Sequence, residues 1–137
     1  MTPARARVLV VEDQALIALS LIADLSSLGC EVVARSATGE RAIELARHYA
    51  PDIVFMDVHL GGDINGIEAA SRIRLDCLAC IVFITAHADG PERARMEALS
   101  PAAILGKPYD PQDLANVVQL AAGTERRWLQ RFISASR

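Results

Sequence analysis

The run Asp52-Ile53-Val54-Phe55-Met56-Asp57 ends four apolar residues in a carboxylate. A run that short and apolar reads as a strand buried on both faces of a parallel sheet. Its carboxyl end is where open α/β sheets bind ligands, so Asp57 is a candidate reactive group. Three other apolar runs stop in the same way. Val8-Leu9-Val10-Val11 leads into Glu12-Asp13, and Ile81-Val82-Phe83-Ile84 leads into Thr85-Ala86. Ala102-Ala103-Ile104-Leu105 reaches Lys107-Pro108 after one glycine. Parallel strands put their C-termini on one edge, so these groups converge there without long loops.

Charge decides what the group can do. Three crowded carboxylates repel one another, and one tends to take up a proton. A hard divalent cation relieves this, and Mg²⁺ takes carboxylate, carbonyl, water and phosphate oxygens. Asp13 and Asp57 read as direct ligands, Glu12 as one acting through water, and the His59 backbone carbonyl as a neutral fourth. Lys107 is a point charge suited to a phosphate oxygen, and the Thr85 hydroxyl can donate to another. An aspartate is also a nucleophile towards phosphorus. With its three equatorial oxygens met by metal, ammonium and hydroxyl, a transferring phosphoryl group needs only positioning and charge neutralisation. Each of these residues alone would pass as a helix cap or turn former. Their joint placement, each after a buried run, points to chemistry.

The elements that must hold them follow from periodicity. Ala15–Leu28 carries Ile17, Leu21, Leu25 and Leu28 at helical spacing, with Ile22 beside them, and Gly29 suits the position after the cap. Glu31–Arg35 reads as a less apolar strand, nearer an edge. Glu40–Tyr49 is a helix with Ala42, Ile43, Ala46 and Ala50 inward, ended by Pro51. His59–Asn65 is a loop. Gly66–Leu75 is a helix, Cys80–Ile84 a strand, Pro91–Leu99 a weaker helix and Ala102–Leu105 a strand. A last helix runs from about Asp110 to Ala122 with Leu114, Val117, Val118 and Ala121 as its stripe. Five strands alternating with five helices predict an α/β domain with a doubly wound parallel sheet and helices on both faces.

Composition narrows the classes. A chain of 137 residues that is 52% hydrophobic can bury one core. Its net charge of −3 and scattered Lys and Arg give no basic stripe, so direct nucleic-acid binding is not expected. No apolar stretch is long enough to span a bilayer, and the basic start Met1–Arg7 has no secretory apolar region after it. A cytoplasmic location follows. Cys77 and Cys80 have redox or zinc spacing but lack a second such pair, and they read as ordinary apolar residues. The expected organisation is an N-terminal tail (1–6), one domain (7–122) and a helical extension (123–137). Thr124 caps that extension, and Trp128, Leu129, Phe132 and Ile133 lie at helical spacing beside Arg126, Arg127 and Arg131.

These residues together resemble the receiver domains of two-component response regulators, over residues 7–122. The resemblance rests on Glu12-Asp13, Asp57, Thr85-Ala86, Lys107-Pro108 and Gly66-Ile67-Glu68, in the family's order and separations. It implies a flavodoxin-like fold with strand order 2-1-3-4-5 and a cis Lys107-Pro108 peptide. It implies that Asp57 takes phosphate from a histidine kinase or histidine phosphotransfer protein with Mg²⁺. It implies phosphate-linked switching at Thr85, Ala86 and Lys107, read by a downstream protein. Apart from the resemblance, the apolar stripe of the extension suits docking on a partner or a second copy, as a homodimer through the last two helices, and equally packing back on its own domain. His59 and His87 fall at positions that border the phosphate and tune its lifetime in that family.

Two departures stand out. The family's switching Tyr or Phe, three residues before the lysine, is replaced by Ile104. The loop after Asp57 holds Gly61 and Gly62, lacks the usual proline and is one residue longer, which predicts a looser loop. Three rival readings remain. A phosphatase of the haloacid dehalogenase type would need an acid two residues after Asp57, where His59 stands. A flavodoxin-like binding module would need a phosphate-cradling loop after the first strand, where Glu12-Asp13 stands. A contact-only receiver would never turn over phosphate.

Overall fold

The computed structural model of the chain describes residues 5–121. The expected helix at 123–137, any homodimer built on it and most of the N-terminal tail lie outside the described residues. The strands are β1 (Arg7–Val11), β2 (Glu31–Ser36), β3 (Ile53–Asp57), β4 (Cys80–Thr85) and β5 (Ala103–Gly106). Between them run α1 (Ala15–Ser27), α2 (Gly39–Tyr49), α3 (Gly66–Asp76) and α4 (Arg93–Glu97). A fifth helix, α5, follows β5 at 111–121. All pairings are parallel and the sheet order is β2-β1-β3-β4-β5. No helix among the described residues is long and apolar enough to cross a membrane.

Strand alternation divides the core into two layers. Val8, Val10, Ile53, Phe55, Val82 and Ile84 meet Leu21 and Leu25 of α1 and Leu114 and Val117 of α5. Leu9, Val11, Val54, Met56, Ile81 and Phe83 meet Ala42 and Ala46 of α2 and Ile67, Ala70 and Ile73 of α3. The three central strands are therefore apolar between their polar ends, because both faces are covered. Thr38 and Asn65 cap α2 and α3, their side chains accepting the amides of Arg41 and Glu68 at 3.2 and 2.9 Å.

Two local expectations fail. Leu28 and Ala50 are exposed, because each lies past the last helical turn and has left the apolar stripe. The fourth helix is five residues long rather than nine, held by the single buried side chain of Met96. The two C-x-x-C thiols point to opposite layers. Cys77 Sγ reaches the Ala46 carbonyl of α2 at 3.5 Å, and Cys80 Sγ reaches that of Ala121 in α5 at 3.9 Å. They form neither a redox pair nor half a metal site.

Gly66 opens α3 directly against the end of β3. A Cβ there would lie 1.9 Å from the Asp57 carbonyl oxygen. The backbone has no flexible atom to yield, so Gly66→Ala is expected to lower stability by about 1–3 kcal/mol. Urea unfolding checks this, and an unchanged midpoint would contradict the close approach.

Candidate functional site

The sheet register brings the polar strand ends level. Val11 pairs with Met56, Asp57 with Ile84 and Thr85 with Gly106. Glu12 therefore stands beside Asp57, one step beyond β1. Lys107 follows β5 and is anchored where its amide donates to the Thr85 carbonyl at 2.8 Å. Carboxylate oxygens of Glu12, Asp13 and Asp57 all lie within 4.8 Å of one another. Lys107 Nζ reaches Glu12 Oε1 at 2.6 Å and Asp57 Oδ2 at 3.3 Å. Glu12 and Asp57 are buried, whereas Asp13 is open to solvent.

The surrounding backbone fixes this cluster. The Glu12 amide donates to the Ser36 carbonyl at 2.9 Å, and its own carbonyl accepts Arg35 Nη2 at 2.7 Å. Its Oε2 accepts the Gln14 amide at 3.1 Å. The peptide Lys107-Pro108 is cis. Beyond it, the Tyr109 hydroxyl donates to Asp24 of α1 at 3.1 Å, and burial pushes that phenol up to about 12. Tyr109 thereby ties the segment carrying Lys107 to the helix that follows Glu12-Asp13.

Burial and charge set the ionisation. Burial, then the neighbouring Glu12 charge, pushes the Asp57 carboxyl from 3.8 up to about 6, with Lys107 working the other way. Burial also pushes Glu12 up, but hydrogen bonds from Lys107 and the Gln14 amide outweigh it and leave the carboxyl below its ordinary value. Burial draws Lys107 down, and its two carboxylate partners more than reverse that. The ammonium is therefore firmly charged. Two buried acids and an exposed third face one cation, which leaves an excess of negative charge. An all-oxygen donor set with that excess fits a hard divalent ion such as Mg²⁺.

The other sequence-predicted residues divide. The His59 amide donates to Asp57 Oδ1 at 3.3 Å, so its backbone borders the carboxylate. Thr85 is buried at the end of β4, its Oγ1 accepting the His87 amide at 3.1 Å. Ala86 is exposed next to it. The His59 and His87 rings meet edge to face, with centroids 5.8 Å apart. Ile104 packs, half-buried, on the α2–α3 layer.

Two residues at this rim escaped the sequence reading. Glu92, just before α4, places Oε1 3.2 Å from His59 Nε2. Glu40, in the first turn of α2, accepts the amides of Asp63 and Ile64 at 2.9 and 3.0 Å. Gly62 lies against it at φ +99°, where a Cβ would come within 2.8 Å of the carboxylate. A bridge between Thr38 and Gly61 adds to the hold. The lengthened loop is thus pinned to α2 rather than slack. Only the glycine pair hinted at such a close approach.

The chain is similar to known proteins along most of its length. Residues 8–119 match the family described as the response regulator receiver domain. The transcriptional regulatory protein PdtaR of Mycobacterium tuberculosis is 38% identical over 120 residues, which is 88% of this chain and 58% of that protein. The response regulator UvrY of Escherichia coli is 30% identical over 121 residues, or 87% of this chain and 55% of that protein. The chain therefore spans little more than half the length of these relatives. The signal receiver domain of a modulated diguanylate cyclase from Desulfovibrio desulfuricans superposes with TM-score 0.83 at 32% identity, covering 90% of this chain and 98% of that one.

Asp57 makes stability depend on pH. Between its ordinary value of 3.8 and the folded value near 6, the folded protein holds a proton that the unfolded chain has lost, so stability falls as pH rises through that window. Above it, the buried charge costs about 1–3 kcal/mol. Asp57→Asn is expected to be more stable than the native chain by that amount at pH 7.5 without divalent cation, and the gap to close towards pH 4. Urea titrations at several pH values check this. An Asn variant less stable than the native chain at pH 7.5 would contradict it.

Proposed function

The chain belongs to the response regulator receiver domains of two-component signalling, and from that premise we propose that Asp57 accepts a phosphoryl group from a phosphohistidine donor. The donor is a histidine kinase or a histidine phosphotransfer protein. The observation that carries the reading is the Lys107 ammonium standing between Glu12 and Asp57, 2.6 and 3.3 Å from their carboxylates. An Asp57 carboxylate oxygen attacks phosphorus, the P–N bond to the donor histidine breaks, and an acyl phosphate forms. Lys107 then exchanges Asp57 for a phosphate oxygen, keeping its bond to Glu12. Thr85 turns its hydroxyl towards a second oxygen, and the exposed Ala86 leaves room above it.

Asp13 and Asp57 would hold Mg²⁺ directly, with Glu12 through water and the His59 carbonyl completing the set. The ion supplies charge neutralisation to the transferring group. His59 and His87 limit the approach of water to the acyl phosphate and so set its lifetime. Glu92 holds the His59 ring in place for that role. The protein is a signalling domain whose only catalysis is its own phosphorylation and dephosphorylation, and it works in the cytoplasm. A downstream protein reads the altered surface. Ile104 has no ring to swing, so that surface changes through the β3–α3 and β4–α4 loops, which the His59–Glu92 contact joins.

Incubation with a small acyl-phosphate donor and Mg²⁺, followed by intact mass, tests this directly. One phosphoryl adduct is expected on the native chain and none on Asp57→Asn. Lys107→Ala should form it roughly 10²-fold more slowly, and chelation should abolish it. An adduct that survives in Asp57→Asn would overturn the assignment. Failure to form any adduct would favour a receiver acting by contact alone. In a second assay, His59→Ala and Glu92→Ala are each expected to shorten the half-life of the preformed adduct several-fold. Unchanged decay in both would contradict the shielding role.

A further inference from the structure

The edge of the sheet opposite Asp57 carries a groove of ≈ 330 Å³. Ala50, Pro51, Cys77 and Leu78 give it apolar walls, and the Arg47–Asp76 pair, at 2.7 Å, stands at its margin. Leu78 is 66% exposed, and Leu75, at the end of α3, is 83% exposed. Single exposed leucines are ordinary. An exposed leucine on the wall of a concave apolar surface marks where a cover would bury it.

We propose that residues 123–137 of this same chain seat in that groove, burying Trp128, Leu129, Phe132 and Ile133 against Leu78 and its neighbours. Three observations converge on this occupant. First, α5 delivers the chain to the right place. The Ala121 carbonyl lies 3.9 Å from Cys80 Sγ, and Cys80 is itself a lining residue of the groove. Ala121, the last described residue, therefore lies at the groove's edge. Trp128 is seven residues past Ala121, about 10 Å at helical rise and at most about 25 Å extended. Both lengths suit a surface that starts beside Ala121. Second, the segment holds four large apolar residues at helical spacing, an apolar stripe matched to a groove rather than to water. Third, charge is complementary. The groove carries Asp52 and Asp76 against Arg47, whereas the segment carries Arg126, Arg127 and Arg131 against Glu125.

This surface is remote from the phosphoryl site, so the inference stands or falls apart from Asp57. It gives the extension a task within its own domain, leaving the other helix faces open to partners.

The test uses the full chain and its only Trp. Trp128 emission is expected to be blue-shifted and protected from acrylamide quenching, unchanged across a wide dilution series. Leu78→Lys, at an exposed position that leaves the fold intact, should shift the emission to the red. Independently, thiol labelling of the half-buried Cys77, located by peptide mass, should be several-fold faster in Trp128→Ala than in the native chain. Emission of a fully solvated Trp in the native chain would overturn the proposal, as would Cys77 labelling that Trp128→Ala leaves unchanged. A blue shift that disappears on dilution would overturn it in favour of a second copy as occupant.

Discussion

A single ammonium set against more negative charge than it can balance shapes this molecule. Lys107 holds Glu12 at 2.6 Å and Asp57 at 3.3 Å, with Asp13 completing the acidic group. Much of the fold serves that arrangement. The β1, β3 and β5 strands must run parallel and in register for three residues so distant in sequence to meet. Their apolar faces, covered on both sides, make that register hard to slip. Burial first, and the Glu12 charge that Lys107 does not cancel second, raise the affinity of Asp57 for a proton, and the same excess of negative charge fits the site to a hard cation. A site carrying more negative charge than its ammonium balances responds strongly to whatever neutralises it.

Much of this was legible in the sequence because it depends on strand ends. Short β-branched runs announce buried strands, and the residue after each run is placed by the strand itself. Glu12, Asp13, Asp57, Thr85 and Lys107 could therefore be grouped before any coordinate was known. The residues that sequence reading missed are those whose partners come from loops. Glu92 meets His59 across a gap of 33 positions, and Glu40 meets the Asp63 amide across 23. Neither sits on a periodic stripe, and a surface glutamate carries no local sign of what it caps. Leu28 and Ala50 were misjudged for the opposite reason. Each matches the helical period but lies past the final turn, where the period no longer applies.

The rim is where this chain departs most from its family's usual pattern. A glycine pair lengthens the loop after Asp57, and Glu40 gathers its amides onto α2, with hydrogen bonds from its own amide and from Ile64 and Asp63 holding its carboxyl below the ordinary range. His59 then joins the start of that loop to Glu92, just before α4. The loop after the carboxylate is thus tied to the starts of two helices. Ile104 fills its place as a packing residue.

The most direct measurement is the titration of the Asp57 carboxyl carbon itself by NMR, in the native chain and in Lys107→Met, without divalent cation. The account predicts a midpoint near 6 in the native chain, moved higher when the ammonium is removed. A midpoint at the ordinary aspartate value of 3.8, indifferent to Lys107, would contradict it.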